Sequence, residues 1–405
     1  MTLSQRNGAR WDRIGFLLTW VLVFLIPWGD MLLLPVQVQF SRAFTIVAAA
    51  AWIPLLWKRR TLRPLESPHY WMILFVLWVG VTVIETAEPD RALRRVLSFI
   101  QLFLNAWMIH QSVQSKERSH KLLIAWILGC CVCMAGQMYN FMLDVRQGDG
   151  RCTAPGFDPN DLAVTLVLGI PAAWQVALQE KGRRWLFLMY IPAAVAGTLL
   201  TASRGAALTL AVVLLLPLSA IAKANAKGLA GVAAVVGLCI FVLSSLSEEA
   251  AFRRLSTIGD QVSSRDLNGR IDIWLRGYAA FLDHPVMGVG AGGFENAIGA
   301  ARGNGMAAHN ALLGIAVEHG TVGLLLFVGT LAALARKAWR NEWNERRFWI
   351  LLLAAWTIAA MSLSWENREM TWLLWGLCAA QPKQVCARYP RIVIWRTHAQ
   401  TSTTA

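Results

Sequence analysis

Two segments, NGRIDIWLRGYAAFLDHPVMGVGAGGF (268–294) and AHNALLGIAVEHGTVGLLLF (308–327), bring arginines, glycines and histidines into a chain that is otherwise apolar almost from end to end. A protein immersed in lipid has few places for aqueous chemistry, so an ionisable stretch bordering an apolar run is where function is sought first. What surrounds the stretch decides how it is placed.

Of the 405 residues, 56% are hydrophobic and 15% charged, whereas a soluble globular protein carries about 25% charge. The apolar residues collect into twelve runs: 14–28, 41–57, 70–84, 96–111, 121–141, 161–178, 185–199, 204–222, 229–246, 321–336, 347–363 and 369–381. Long, nearly uncharged runs read as membrane spans. The expected fold is therefore all-α and polytopic, with about twelve transmembrane helices and one long loop, 247–320, containing short helices. One transmembrane domain is expected over 1–381, with that loop as the place where function is sought. Residues 382–405 read as a basic cytoplasmic tail, disordered in part. The first run is followed by Pro35 and Val36 rather than by a small-residue cleavage site, so it is read as a span and not a signal peptide.

Basic residues fall in alternate connections, among them Arg6, Arg10 and Arg13; Lys58, Arg59, Arg60 and Arg63; and Arg336, Lys337, Arg340, Arg346 and Arg347. These connections hold 24 of the 38 basic residues and six acids, so one side carries +18 and the other −4. The positive-inside rule assigns the basic side to the cytoplasm. Both termini are then cytoplasmic and the loop 247–320 faces outward. The net charge of +14 is thus a signal of topology and points to no nucleic-acid partner.

Cys130, Cys131, Cys133, Cys239 and Cys378 lie in apolar runs and behave as small hydrophobes. Cys152 has no partner on the outer side. Neither a Cys-x-x-Cys pair nor a histidine-rich cluster suggests a metal, and no cofactor is expected.

Arg204, in TASRGA (201–206), stands between two apolar runs with almost no loop, at the outer membrane edge. An arginine there faces a partner or a watery cavity, or else snorkels at the boundary. Ser203 and Gly205 on either side allow close approach. Arg270 and Arg276 open a helical segment with Trp274 and Tyr278, and a guanidinium fork suits phosphate oxygens. Surface helices also carry arginines for solubility. His309, followed by Asn310 at a helix start, can take a proton from a hydroxyl at neutral pH; the plainer alternative is a capping or solvated histidine. His284 and His319 read as turn and helix-end residues. Gly288, Gly290 and Gly293 satisfy G-x-G-x-x-G, but no strand precedes them, so they are read as turn glycines and not as a dinucleotide site. The DPND sequence at 158–161 is good helix-start chemistry.

In this order, SRGA, GRxxIW, HPxxGVGxGGF and HNxxL…EHGxxGLLLF resemble the O-antigen ligase and O-antigen polymerase superfamily over about residues 203–327. GFDPNDLA (156–163) resembles a further family element. The resemblance implies a transferase that takes a glycan from undecaprenyl diphosphate on the periplasmic face of the inner membrane and joins it to an acceptor hydroxyl. It implies that Arg204 and Arg270 bind the diphosphate and that His309 is the acceptor base. Ser203, Asn160, Asp161, Trp274, Arg276 and Asn310 are expected around the substrate. Arginines can stabilise a charged leaving group without a metal, and direct attack would invert the anomeric carbon. Asp30, Asp158 and Asp161 are outer carboxylates that contest direct attack, and Glu318, Asp158 and Asp30 are the alternative bases. The late single loop favours a ligase with lipid A–core as acceptor. A polymerase using the same donor, a protein-glycosylating relative and a non-catalytic transporter are the alternatives. Against transport, the notable residues gather at one face and not near mid-bilayer.

Overall fold

The computed structural model describes residues 3–32, 39–58, 62–147, 150–217, 237, 269–299 and 306–382. Among these, thirteen α-helices follow one another: α1 (Leu3–Leu25), α2 (Phe40–Lys58), α3 (Ser67–Val81), α4 (Pro89–Ser112), α5 (Lys116–Met142), α6 (Pro159–Gln179), α7 (Arg184–Leu200), α8 (Arg204–Val213), α9 (Arg270–Asp283), α10 (Phe294–Ala297), α11 (Ala311–Trp339), α12 (Trp343–Ala360) and α13 (Glu369–Ala379). A helix stands at eleven of the twelve apolar runs; the remaining run, 229–246, lies outside the described residues apart from Gly237.

By length and composition, six of these helices can cross a membrane: α1, α3, α4, α5, α6 and α11. Helices α2, α7 and α8 are apolar but shorter. The twelfth expected span is shorter still. Helix α13 has 11 residues, which at about 1.5 Å per residue covers roughly half of a ~30 Å hydrocarbon layer. Every residue of α13 is buried, and its flanks reach opposite ends of the bundle, Arg368 at Asp161 and Ala380 at Arg63.

Helix α6 lies at the centre of one group, packed on α5, α7, α8 and α12. A second group joins α3 to α11 and α4 to α13. Between α3, α4, α11, α12 and α13, the rings of Phe75, Phe99, Phe327, Trp356, Trp372 and Trp375 pack with centroids 5.0–6.2 Å apart. Trp356 donates its indole N–H to Thr371 Oγ1 at 2.9 Å, so this large buried ring leaves no polar atom stranded.

Among the described residues, basic connections meet at one end. There the Arg63 guanidinium donates to the Ala380 carbonyl at 2.6 Å, Lys337 pairs with Glu66 at 2.6 Å and Lys116 pairs with Glu345 at 2.9 Å.

Within the expected loop 247–320, Ala311 to His319 form a short helix that closes at Gly320. It opens α11, which continues to Trp339 across a break at Gly320 (φ +65°, ψ −168°). Its last turn before the break is buried, with Val317, Glu318 and His319 all under 5% exposed. The cause is the preceding loop: Val289 N–H donates to the Val317 carbonyl at 2.8 Å and Gly290 N–H to that of Glu318 at 3.1 Å. A Cβ on Gly320 would collide with the Val286 carbonyl. That close approach, together with the left-handed φ, calls for glycine.

Candidate active site

At the end of the bundle away from the basic connections, four helix starts are tied together: α6, α8, α9 and α11. Local sequence fixes each one. Asp158 accepts from the Asn160 and Asp161 N–H groups at 2.8 and 3.4 Å. Ser203 Oγ accepts from Ala206 N–H at 3.4 Å. Gly269, at φ +74°, turns the chain into α9, and Asn310 Oδ1 accepts from Leu312 and Leu313 N–H at 3.1 Å each. Ala202 and His309, each just before a cap, sit at φ +48° and +46°. Residues with a Cβ hold this conformation only where their surroundings over-determine it. At His309 they do: its N–H donates to Ser364 Oγ at 3.0 Å, and Trp274 donates to the neighbouring Ala308 carbonyl at 2.9 Å.

Asn160 joins α6 to α8. Its Oδ1 accepts from the Ser203 hydroxyl at 2.9 Å and from Arg151 at 2.7 Å. Arg151, 8% exposed, donates also to the Thr201 carbonyl at 2.7 Å, fastening the 151–154 loop to the α7–α8 corner. Electrostatics bring in the remaining groups. Burial, then the nearby Arg204 cation, lower Arg270 from its ordinary range while Asp158 opposes them. Burial, then Arg270, hold His309 below 6.5, again with Asp158 opposing. Arg204, Arg270, His309 and Asp158 thus share one half-buried field. A neutral imidazole can accept a proton, and guanidinium groups beside helix N-termini can hold an anion.

Not every expected residue joins this cluster. Arg276 is exposed and pairs at 2.7 Å with Asp272 on its own helix. Asp161 is bound by Trp365 Nε1 at 2.7 Å and by Arg368, which also reaches Asp30 at 3.4 Å. Asn310 and Trp274 use their polar groups to shape the His309 turn. Asp161 and Asp30 are therefore ion-paired, Glu318 pairs with Arg95 at 3.3 Å, and of the outer carboxylates Asp158 stands in the field of His309.

Sequence reasoning overlooked Arg151 and the segment Ser364–Arg368. The polar WENR (365–368) between two apolar runs was the signal that could have found the second. The turn glycines behave as read: a Cβ on Gly288 would meet the Glu318 backbone at 2.5 Å, and one on Gly290 the Thr86 backbone at 2.7 Å. These are close-packing positions, and among the described residues no strand precedes them.

A cavity of about 710 Å³ beside Glu66, Lys337 and Arg340 lies at the opposite, basic end, where none of the candidate residues stands. A second, about 490 Å³, includes Ala308 and Ser364 in its wall and so adjoins His309.

No curated protein matches this chain. Residues 187–328, about a third of its length, match the family model described as O-antigen ligase. The matched region contains Ser203, Arg204, Arg270, Trp274, Arg276, His309 and Asn310 and leaves out Asn160 and Asp161. The part of the chain that holds the clustered arginines and histidine is thus similar to the O-antigen ligase family.

Proposed function

We propose that the chain is an O-antigen ligase that moves a glycan from undecaprenyl diphosphate to lipid A–core on the periplasmic face of a bacterial inner membrane. The observation that carries this reading is the convergence of Arg204, Arg270 and His309 with Asp158 at four helix starts, within and beside the family-matched region.

In this reading His309 takes the proton of the acceptor hydroxyl as its oxygen bonds the anomeric carbon. The bond from that carbon to the diphosphate oxygen breaks, and its electron pair stays on the diphosphate. Arg204 and Arg270 hold the charge of the leaving group, which grows as the bond stretches. Attack from the face opposite the diphosphate inverts the anomeric carbon. Asp158 steadies the imidazolium that forms. Arg151, Asn160, Trp274 and Ser364 are positioning residues, which keep the donor arginines and the base in register.

Membranes holding this protein alone, with a lipid-linked glycan and lipid A–core, test the proposal. Glycan appearing on lipid A–core is the expected result. Lengthening of the lipid-linked glycan alone would assign the polymerase reaction, and no transfer to either acceptor would overturn both.

A further inference from the structure

On the orientation read from the charges, 14 basic residues face outward and all are arginines, while all eight lysines fall on the inner side. Outward arginines run against the positive-inside bias, so where they collect needs a reason. Five of them, Arg42, Arg91, Arg94, Arg95 and Arg368, line the cavity of about 490 Å³ beside His309. They come from α2, the first turns of α4 and the segment before α13, so no linear motif announces them.

The acids in the same wall are Glu295, Glu318 and Glu366. Glu295 pairs with Arg91, and Arg95 lies 3.3 Å from Glu318 and 3.2 Å from Glu366. Arg368 is bound to Asp161 and Asp30 behind the wall. Among the described residues, Arg42 and Arg94 pair with none of the acids in the wall, which leaves both guanidinium groups available on the cavity, although the buried Glu369 carboxyl feels the Arg42 charge. Glu366 supplies a second, independent sign of a ligand. It is 3% exposed and lines the cavity, and its Oε2 has no hydrogen-bond partner. A buried oxygen of this kind calls for a partner from outside the chain. Burial pushes the Glu366 carboxyl up to about 7 against the pull of Arg95, so near neutrality it can either donate or accept.

The donor-side residues Arg204, Arg270 and Asp158 are absent from this wall, whereas Ala308 and Ser364, which hold His309, belong to it. We propose that the cavity is an acceptor subsite for an acidic sugar, with Arg42 and Arg94 binding its phosphate or carboxylate substituent and Glu366 binding a neighbouring hydroxyl. This rests on the ligase reading, in which His309 separates donor from acceptor. An acceptor anchored there comes to His309 from a wall that holds none of the diphosphate-binding residues.

The test uses the purified full-length protein, one lipid-linked donor, and one glycolipid acceptor with its acidic groups intact or enzymatically removed. Wild type should bind the acidic acceptor about tenfold more tightly, the effect of one charge-assisted contact, and show a correspondingly lower acceptor KM. Arg42→Gln with Arg94→Gln should erase that preference and leave the donor KM unchanged. Glu366→Gln should raise the acceptor KM for both forms. Equal binding of the two acceptors by wild type would overturn the subsite. A raised donor KM in the arginine variants would do so as well, and would assign the cavity to the diphosphate. Preferential binding with no transfer would sink the ligase reading and leave the subsite standing.

Discussion

His309 owes its position to two neighbours and its basicity to three influences. Ser364 and Trp274 hold the strained turn, while burial and Arg270 lower the imidazole pKa and Asp158 raises it. A base must be neutral to act, so activity is expected to fall as pH drops through a value below 6.5. Asn caps helices as well as Asp, so Asp158→Asn keeps the α6 start and removes only the charge. With the raising influence gone, the His309 pKa drops further and the acid limb of the rate profile should move to lower pH. An unmoved limb would separate Asp158 from the base. General-base catalysis is worth ~10²–10⁴ in rate, so His309→Ala and His309→Gln should both lose transfer on that scale in a single-turnover assay. A near-normal His309→Gln would reduce the histidine to a positioning role. Lysine cannot reproduce a bidentate fork, and Arg204→Lys and Arg270→Lys should each lose most activity while the protein still accumulates in membranes. Full activity in both would remove the diphosphate clamp.

Among the elements, α11 carries the most consequence. It places His309 at its start, Glu318 against Arg95 two residues before the break, and Gly320 at the break. Gly320→Ala must either open the contact with the Val286 carbonyl or straighten the backbone. Positive φ on a residue with a Cβ costs about 1–2 kcal/mol before any clash. The variant should therefore melt lower and lose transfer, even though position 320 is remote from the reacting atoms; unchanged thermal stability would contradict the packing described. Trp274→Phe is the milder probe. It keeps the ring and drops the hydrogen bond to Ala308, so kcat should fall more than the donor KM rises.

At the scale of the molecule, hydrogen bonds and ion pairs stitch both ends of the bundle, yet the two ends differ in kind. One gathers lysines and arginines in short connections; the other gathers arginines paired with buried acids. A reporter inserted within 255–305 should read as periplasmic and one at 343 as cytoplasmic. The reverse pattern would put donor and acceptor on the wrong side and overturn the proposed reaction. High salt should weaken transfer only modestly, because the arginine pairs around the site are half-buried and screened less than surface charges.

The amino-acid sequence by itself determined the all-helical class, eleven helix positions and the glycine turns, because apolar runs, helix-start residues and φ requirements are local properties. It also pointed to Arg204, Arg270 and His309 as residues worth bringing together. Tertiary structure alone decided the rest. Arg276 points to Asp272 and solvent, although its spacing from Arg270 looks equally suited to an anion. Helix α13 is wholly enclosed by other helices, and hydropathy cannot tell an enclosed helix from one that faces lipid. Asp30, Asp161 and Glu318 are taken by arginines 338, 207 and 223 residues away in the chain, and the arginine cavity draws its wall from five separate stretches. Ion pairs and cavities of that kind depend on which helix ends meet in space, and no periodicity or local spacing records that.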